Sequence, residues 1–235
     1  MEHVLAFEKI CKVNGLHLTG EQLGFLEKYA SLLLEWNRKV NLISRKDEQN
    51  LWTSHFLHCI SPMFLFSMPR EARVLDMGTG GGLPGVPLAI ANPGWKVTLL
   101  DSIAKKTTAI KDILARMGIA GLEVVNGRAE DREIVGPRKG KFDLVLARGV
   151  APLVELAVWS RPYLTRVSSP ADGVARKPIL RTPGLVVYKG GDLDAELKAL
   201  HVKVPSAGAA LTDLVFSGSS ESGLEEKKLV VLQFT

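Results

Sequence analysis

Cysteine is scarce in this chain. Cys11 and Cys59 are too few for a disulfide framework, and their scarcity fits a reducing compartment. Long apolar runs are missing too: no stretch approaches the roughly eighteen residues a membrane span requires. The start, MEHVLAFEKI, has no basic region followed by an apolar core and a small-residue cleavage site, so no secretory signal is expected. A cytoplasmic, monomeric protein without a membrane partner is the resulting expectation. A large excess of one charge sign is also lacking, since 30 Lys and Arg face 25 Asp and Glu for a mild basic excess of +5. That mild balance suits a polyanionic partner without requiring one, and any basic face must be made by folding. His55, His58 and Cys59 lie close together, but no third ligand stands at a matching position. Packing is therefore preferred to a metal site.

What is present is the alternation of an α/β protein. Residues 19–40 carry Leu23, Leu26, Ala30, Leu33, Leu34 and Val40 at helical spacing, with Thr19 and Gln22 as a capping box. A second helix is expected after Ser44 and Lys46, with Leu51, Trp52, His55, Phe56 and Cys59 on one stripe. Residues 1–68 thus read as a helical appendage and 69–235 as the main domain. From residue 72, short apolar runs predict strands at 73–77, 96–101, 122–126, 142–147 and 184–189, with two more near the C-terminus. A helix over Ile103–Met117 is expected to end on Gly118. The segment 165–183 is long and aperiodic and carries Arg166, Arg176, Lys177 and Arg181 against Asp172 alone. Its composition reads as a solvated loop before it reads as an RNA contact.

The stretch VLDMGTGGGLPGVPLAI, residues 74–90, holds two glycine spacings. Gly78, Gly80 and Gly82 spell GxGxG, which belongs with S-adenosyl-L-methionine, and Gly80, Gly82 and Gly85 spell the GxGxxG of dinucleotides. A diphosphate needs free N–H groups at the start of the following helix, and Pro84 and Pro87 remove two of them. Asp76, two residues before Gly78, is placed to organise the loop and face an amino group, where dinucleotide sites usually have an apolar residue. Asp101, closing the second strand, suits the ribose of either cofactor. After the third strand, Ala129 and Glu130 are placed to bracket an adenine. Around the fourth strand, ARGVAPL has no cysteine to attack a pyrimidine C5 and no Asn/Asp-Pro-Pro-aromatic sequence for an exocyclic amine. An acceptor with its own lone pair, such as guanine N7, needs neither device.

DMGTGGGLPGVPLAI, LLDSIAKK, GRAED, FDLVLARGVAPL and YKG, in that order, closely resemble the bacterial 16S rRNA guanine-N7 methyltransferases, the glucose-inhibited division protein B family (RsmG/GidB). WNRKVNLISR and HFLHCIS resemble its N-terminal signature, so the likeness covers residues 25–190. It implies a Rossmann-like class I S-adenosylmethionine-dependent methyltransferase sheet, acting on a guanine in the 530 loop of 16S rRNA, free or in the small ribosomal subunit. The implied cofactor positions are Gly78, Leu83, Ala129, Glu130 and Arg148, with Asp101 on the ribose, beside Asp76 and Gly80 from the loop itself. Arg148 is also the one catalytic candidate, facing the cofactor carboxylate or an RNA phosphate. Lys105, Lys106, Arg128, Arg138, Lys139 and Lys189 are candidate phosphate contacts. The family's alanine after the strand-four arginine is Gly149 here, and the 165–183 loop is longer than usual. The rival classes are an NAD(P)-linked oxidoreductase using GxGxxG, a methyltransferase of another RNA, and an RNA-binding protein with an inactive methyltransferase fold. The absence of a Tyr-x-x-x-Lys pair weighs against the first, and intact glycines and acids weigh against the last.

Overall fold

The computed structural model describes residues 2–166 and 177–234. Two helices come first, α1 (Glu2–Val13) and α2 (Gly20–Asn37). The Thr19 capping box forms as the sequence predicts, the Gln22 amide donating to the Thr19 hydroxyl and the Thr19 amide to the Gln22 side chain. The second expected helix is not one continuous α-helix. A 3-10 turn (Arg45–Asn50) runs into a π-helical turn (Leu51–Leu57), then into the short α3 (His58–Ile60) and α4 (Pro62–Leu65). The wider turn changes the stripe: Phe56 and Cys59 enter the core, while His55 and His58 face a cleft described below.

The remaining elements are β1 (Ala72–Met77), α5 (Gly85–Ala91), β2 (Trp95–Asp101), α6 (Ala104–Met117), β3 (Leu122–Asn126), α7 (Arg132–Val135), β4 (Leu144–Arg148), α8 (Leu153–Ser160), β5 (Gly184–Gly190), α9 (Asp194–Lys203), β6 (Ala207–Asp213) and β7 (Lys227–Phe234). They build one seven-stranded sheet of order β3-β2-β1-β4-β5-β7-β6. β1 to β5 are parallel, whereas β7 runs antiparallel to both β5 and β6. All strands expected from the sequence are present, although the fourth begins at Leu144 and not at Phe142, which makes only an isolated bridge to Leu164.

Alternation along the strands divides the core. Leu144, Leu146 and Val186 join α1, α2, α5 and α6 on one face of the sheet. Val145, Ala147, Leu185 and Val187 join α8 and α9 on the other. The N-terminal helices therefore share a hydrophobic cluster with the sheet. Trp36 Nε1 donates to Asp112 Oδ2 on α6 at 2.7 Å, and Tyr29 donates to the Gly81 carbonyl at 2.6 Å, which ties α2 to the glycine loop. Gly118 ends α6 at φ +70°.

The 165–183 segment leaves from the amino end of the sheet and returns to it. Thr165 bonds Phe142 ahead of β4, and Pro178 and Leu180 bond Ser67 ahead of β1. Lys177 Nζ donates to the carbonyls of Asn14 and Met63, both at 3.0 Å. Arg176 and Asp172 lie outside the described residues.

Candidate functional site

Parallel strands present their carboxyl ends on one edge, and two clefts open there. The first, about 290 Å³, lies over β1, β2 and β3 and is lined by Gly78, Asp101, Ile103, Lys106, Arg128, Ala129, Glu130 and Trp159, among others. The second, about 550 Å³, lies over β4 and β5 and is lined by Asp47, His55, His58, Arg148, Tyr188, Lys189 and Lys227, among others. Gly149 lines both.

The floor between them is the glycine loop. Asp76 is fully buried, and its Oδ2 accepts from the Thr79 hydroxyl at 2.6 Å and the Gly85 amide at 2.9 Å. Burial pushes its carboxyl up to about 6, against the lowering effect of those bonds and of Arg148. The start of α5 offers no free donor: Gly85 is taken by Asp76, Val86 by the Gly82 carbonyl, Leu88 by the Pro84 carbonyl, and Pro87 has none. A protein carboxylate already sits where a diphosphate would bind. The dinucleotide reading of GxGxxG fails on that point, and Asp76 acts as the loop organiser that the sequence suggests.

Asp101 fixes the same loop from the side. Its Oδ2 accepts from Gly80 N at 2.8 Å and its Oδ1 from Ile103 N at 2.9 Å. Each oxygen keeps a second lone pair, so acceptance from a ribose hydroxyl is still open. The Ala129 carbonyl accepts from Tyr163 at 2.7 Å, which pins the loop after β3, and Glu130 makes a 3.3 Å ion pair with Arg128 at the cleft mouth. The residues present fit a nucleoside: carboxylates for hydroxyls and the apolar side chains of Ile103 and Trp159.

Gly78, Asp101, Ala129 and Glu130 thus come together as expected. Leu83 does not join them; it packs in the core with Val86 and Leu88. Asp76 and Gly80 act beneath the cleft without lining it. Arg148 faces the second cleft, where its Nη2 lies 3.1 Å from His55 Nδ1.

The basic candidates divide in the same way. Lys106 and Arg128 line the first cleft, and Lys105 is exposed in the first turn of α6. Lys189 is tied, donating to Glu196 at 2.8 Å and 3.0 Å and to the Ala151 carbonyl at 3.2 Å. Glu196 also accepts from Leu153 N at 2.9 Å, so the pair clamps the loop between the clefts. Arg138 and Lys139, named above as candidate phosphate contacts at or near the strands' carboxyl ends or their flanks, precede β4 and stand at its amino end. Arg138 pairs with Glu123 and shares a groove there with Arg73, Lys96 and Lys141. Chain direction is the reason: a residue just ahead of a parallel strand meets its amino end.

His55, His58, Tyr188 and Lys227 are the site residues that sequence reasoning missed. Burial and the Arg148 charge push His55 down to about 4 and His58 to about 3, so both rings are neutral. The available signal was the short spacing of two histidines, which points nowhere until the π-helical turn aims them.

The chain has relatives among known proteins. The family model described as "rRNA small subunit methyltransferase G", GidB, matches residues 22–169. Ribosomal RNA small subunit methyltransferase G of Moorella thermoacetica is 33% identical over 94% of this chain and 86% of its own length. The Salinibacter ruber protein of that name is 37% identical over 81% and 82%, and that of Chlorobaculum tepidum 33% over 97% and 96%. Among solved structures, an MtNAS mutant in complex with S-adenosylmethionine matches with a TM-score of 0.53 at 15% identity, covering 97% of this chain and 77% of that one. Methanococcus jannaschii fibrillarin, a pre-rRNA processing protein, gives 0.53 at 13%, covering 74% and 73%. At such identities the structures speak for the fold alone, a Rossmann-like class I methyltransferase sheet.

Proposed function

The chain belongs to the GidB family, rRNA small subunit methyltransferase G, and we propose that it transfers a methyl group from S-adenosyl-L-methionine to N7 of a guanine in the 530 loop of 16S rRNA. The observation that carries this reading is the pair of clefts meeting at Gly149, one offering Asp101, Glu130 and apolar side chains to a nucleoside and the other offering Arg148 and Lys227 to an acceptor strand.

Bound in the first cleft, the cofactor supplies an electrophilic methyl carbon on a sulfonium. Asp101 and Glu130 would hold its ribose and adenine ends there. Gly78 keeps the junction open: a Cβ at that position would stand 2.5 Å from Val150 Cγ2, so only glycine lets the loops after β1 and β4 touch. Arg148 and Lys227 present positive charge to the acceptor strand, which favours RNA.

What the clefts lack among the described residues supports guanine N7 as the acceptor atom. Cys59 is fully buried and its thiol is raised to about 12 by that burial, so neither cleft offers a thiolate for attack on a pyrimidine C5. Guanine N7 has an in-plane lone pair and no proton to lose. Orientation then supplies the main rate gain, and no general base is required.

The test is transfer of a labelled methyl from S-adenosyl-L-methionine to 16S rRNA or small subunits lacking the modification, mapped by the strand scission that N7-methylguanine permits. Labelled N7-methylguanine in the 530 loop is the expected product. NAD binding without transfer to RNA would overturn the reading.

A further inference from the structure

Among the described residues, His55 Nε2, His58 Nε2 and Asp76 Oδ1 are buried with no hydrogen-bond partner. The first is the most informative, because its proton can be located. Arginine only donates, so the 3.1 Å contact from Arg148 Nη2 makes His55 Nδ1 the acceptor. The ring is neutral, its pKa pushed down to about 4 by burial and by Arg148. Its proton therefore sits on Nε2. The nearest carboxylate oxygen, Asp47 Oδ2, is 3.7 Å away, less than an ångström short of a hydrogen bond. Asp47 lies on the Arg45–Asn50 turn at the rim of the second cleft, and the turn is held by Asn37, whose side-chain amide donates to Glu48 at 2.7 Å. Asp47, His55 and Arg148 thus follow one another along the lining of the second cleft, with the His55–Arg148 contact closed and the Asp47–His55 contact open.

We propose that Asp47 and His55 are positioning residues for Arg148: the Asp47 carboxylate takes the His55 Nε2–H, which fixes the ring so that Nδ1 holds the guanidinium toward the acceptor. The inference rests on the RNA methyltransferase reading, which places Arg148 on the acceptor side. Hydrogen bonds of this kind are often long in a free enzyme and tighten when substrate binds. An unpaired buried N–H favours that tightening over any outward swing of the ring.

A double-mutant cycle tests it in the full chain. His55→Ala is expected to lower kcat about 10²-fold, the effect of roughly an ångström of misplacement, with the S-adenosyl-L-methionine Kd unchanged. His55→Asn, whose Oδ1 still accepts from Arg148, is expected to recover part of that loss. Asp47→Ala, which removes the acceptor, is expected to slow the otherwise unaltered enzyme and to have no effect in the His55→Ala background. Additive losses, or an unchanged kcat in His55→Ala, overturn the relay. Asp47 is a rim residue, so that arm does not threaten the fold, and the cofactor Kd reports folding in the His55 variants. Imidazole 15N shifts of the RNA-free protein give a reading without turnover: the Nε2–H tautomer supports the relay, and Nδ1–H overturns it. Failure of the unaltered chain to methylate RNA strikes the functional reading instead, and the tautomer still decides whether His55 accepts from Arg148.

Discussion

The Gly85 amide donates a 2.9 Å hydrogen bond to Asp76 Oδ2, so the first turn of α5 is closed by a carboxylate nine residues earlier in the chain. Asp76→Ala leaves that amide and the Thr79 hydroxyl unpaired, at about 1–3 kcal/mol for each orphaned group. Weaker cofactor binding and a lower melting temperature are expected together. Asp76→Asn keeps an acceptor oxygen and adds a pH signature. Burial raises the Asp76 pKa from 3.8 to about 6. A raised folded pKa contributes stability that is complete below the unfolded value and lost as pH rises through the folded one. Asp76→Asn has no such loss, so it should gain roughly 2 kcal/mol on the natural protein between pH 4 and pH 8. Urea unfolding at the two pH values measures the difference.

His58 shows the opposite sign. Burial first, then the charges of Arg148 and Lys227, depress its pKa to about 3. The unfolded chain takes up a proton near 6.5 and the folded one does not, so stability is lost as pH falls from 6.5 toward 3. Phe fills the same place, keeps the 5.2 Å edge contact with Tyr188 and removes an orphaned nitrogen. His58→Phe should resist acid unfolding, by roughly 3 kcal/mol relative to the natural protein at pH 4. Equal acid sensitivity of the two proteins would mean that His58 is not held neutral.

Two glycines with the same φ of +70° separate strain from collision. Gly118 has nothing within 4 Å of an added Cβ, so Gly118→Ala should cost about 1–2 kcal/mol of stability and leave methyl transfer intact. At Gly78 the same strain is joined by contact with Val150, so Gly78→Ala should also abolish cofactor binding in a calorimetric titration. Val150→Ala in that background should restore part of it.

What the sequence discloses is what depends on neighbours in the chain. The continuous apolar runs LVLA and LVV, buried on both faces of the sheet, the Thr19 capping box, the Gly118 helix end and the two prolines after Gly82 each carry their reason within a few residues. What it hides depends on distant partners. Lys189 looks like a free cation until Glu196 and the Ala151 carbonyl are folded onto it. Arg138 looks adjacent to the fourth strand's loop until strand direction sends it to the other edge. His55 and His58 sit among apolar residues and read as packing, and only the π-helical turn sets both rings on a cleft.

Glu196 offers a test of how the two clefts stay in register. Its carboxylate binds Lys189 at the end of β5 and caps Leu153 at the start of α8, while Lys189 holds Ala151 between them. Burial alone would raise its pKa, yet Lys189 and the Leu153 amide hold it below the usual carboxylate range. Its contribution is therefore present above about 4.5 and lost as pH falls further. Glu196→Gln keeps an acceptor for Leu153 and loses the ion pair, whereas Glu196→Ala loses both. If this clamp sets the Gly149–Ala151 loop, Glu196→Ala should lower kcat about 10- to 100-fold and Glu196→Gln much less, because loop misplacement of an ångström acts on orientation at the reacting atom. Faster hydrogen exchange at Val150, Ala151 and Leu153 should accompany the loss, with the cofactor Kd nearly unchanged. Unchanged exchange with a lowered kcat would place the Glu196 effect on the acceptor directly and not on the loop.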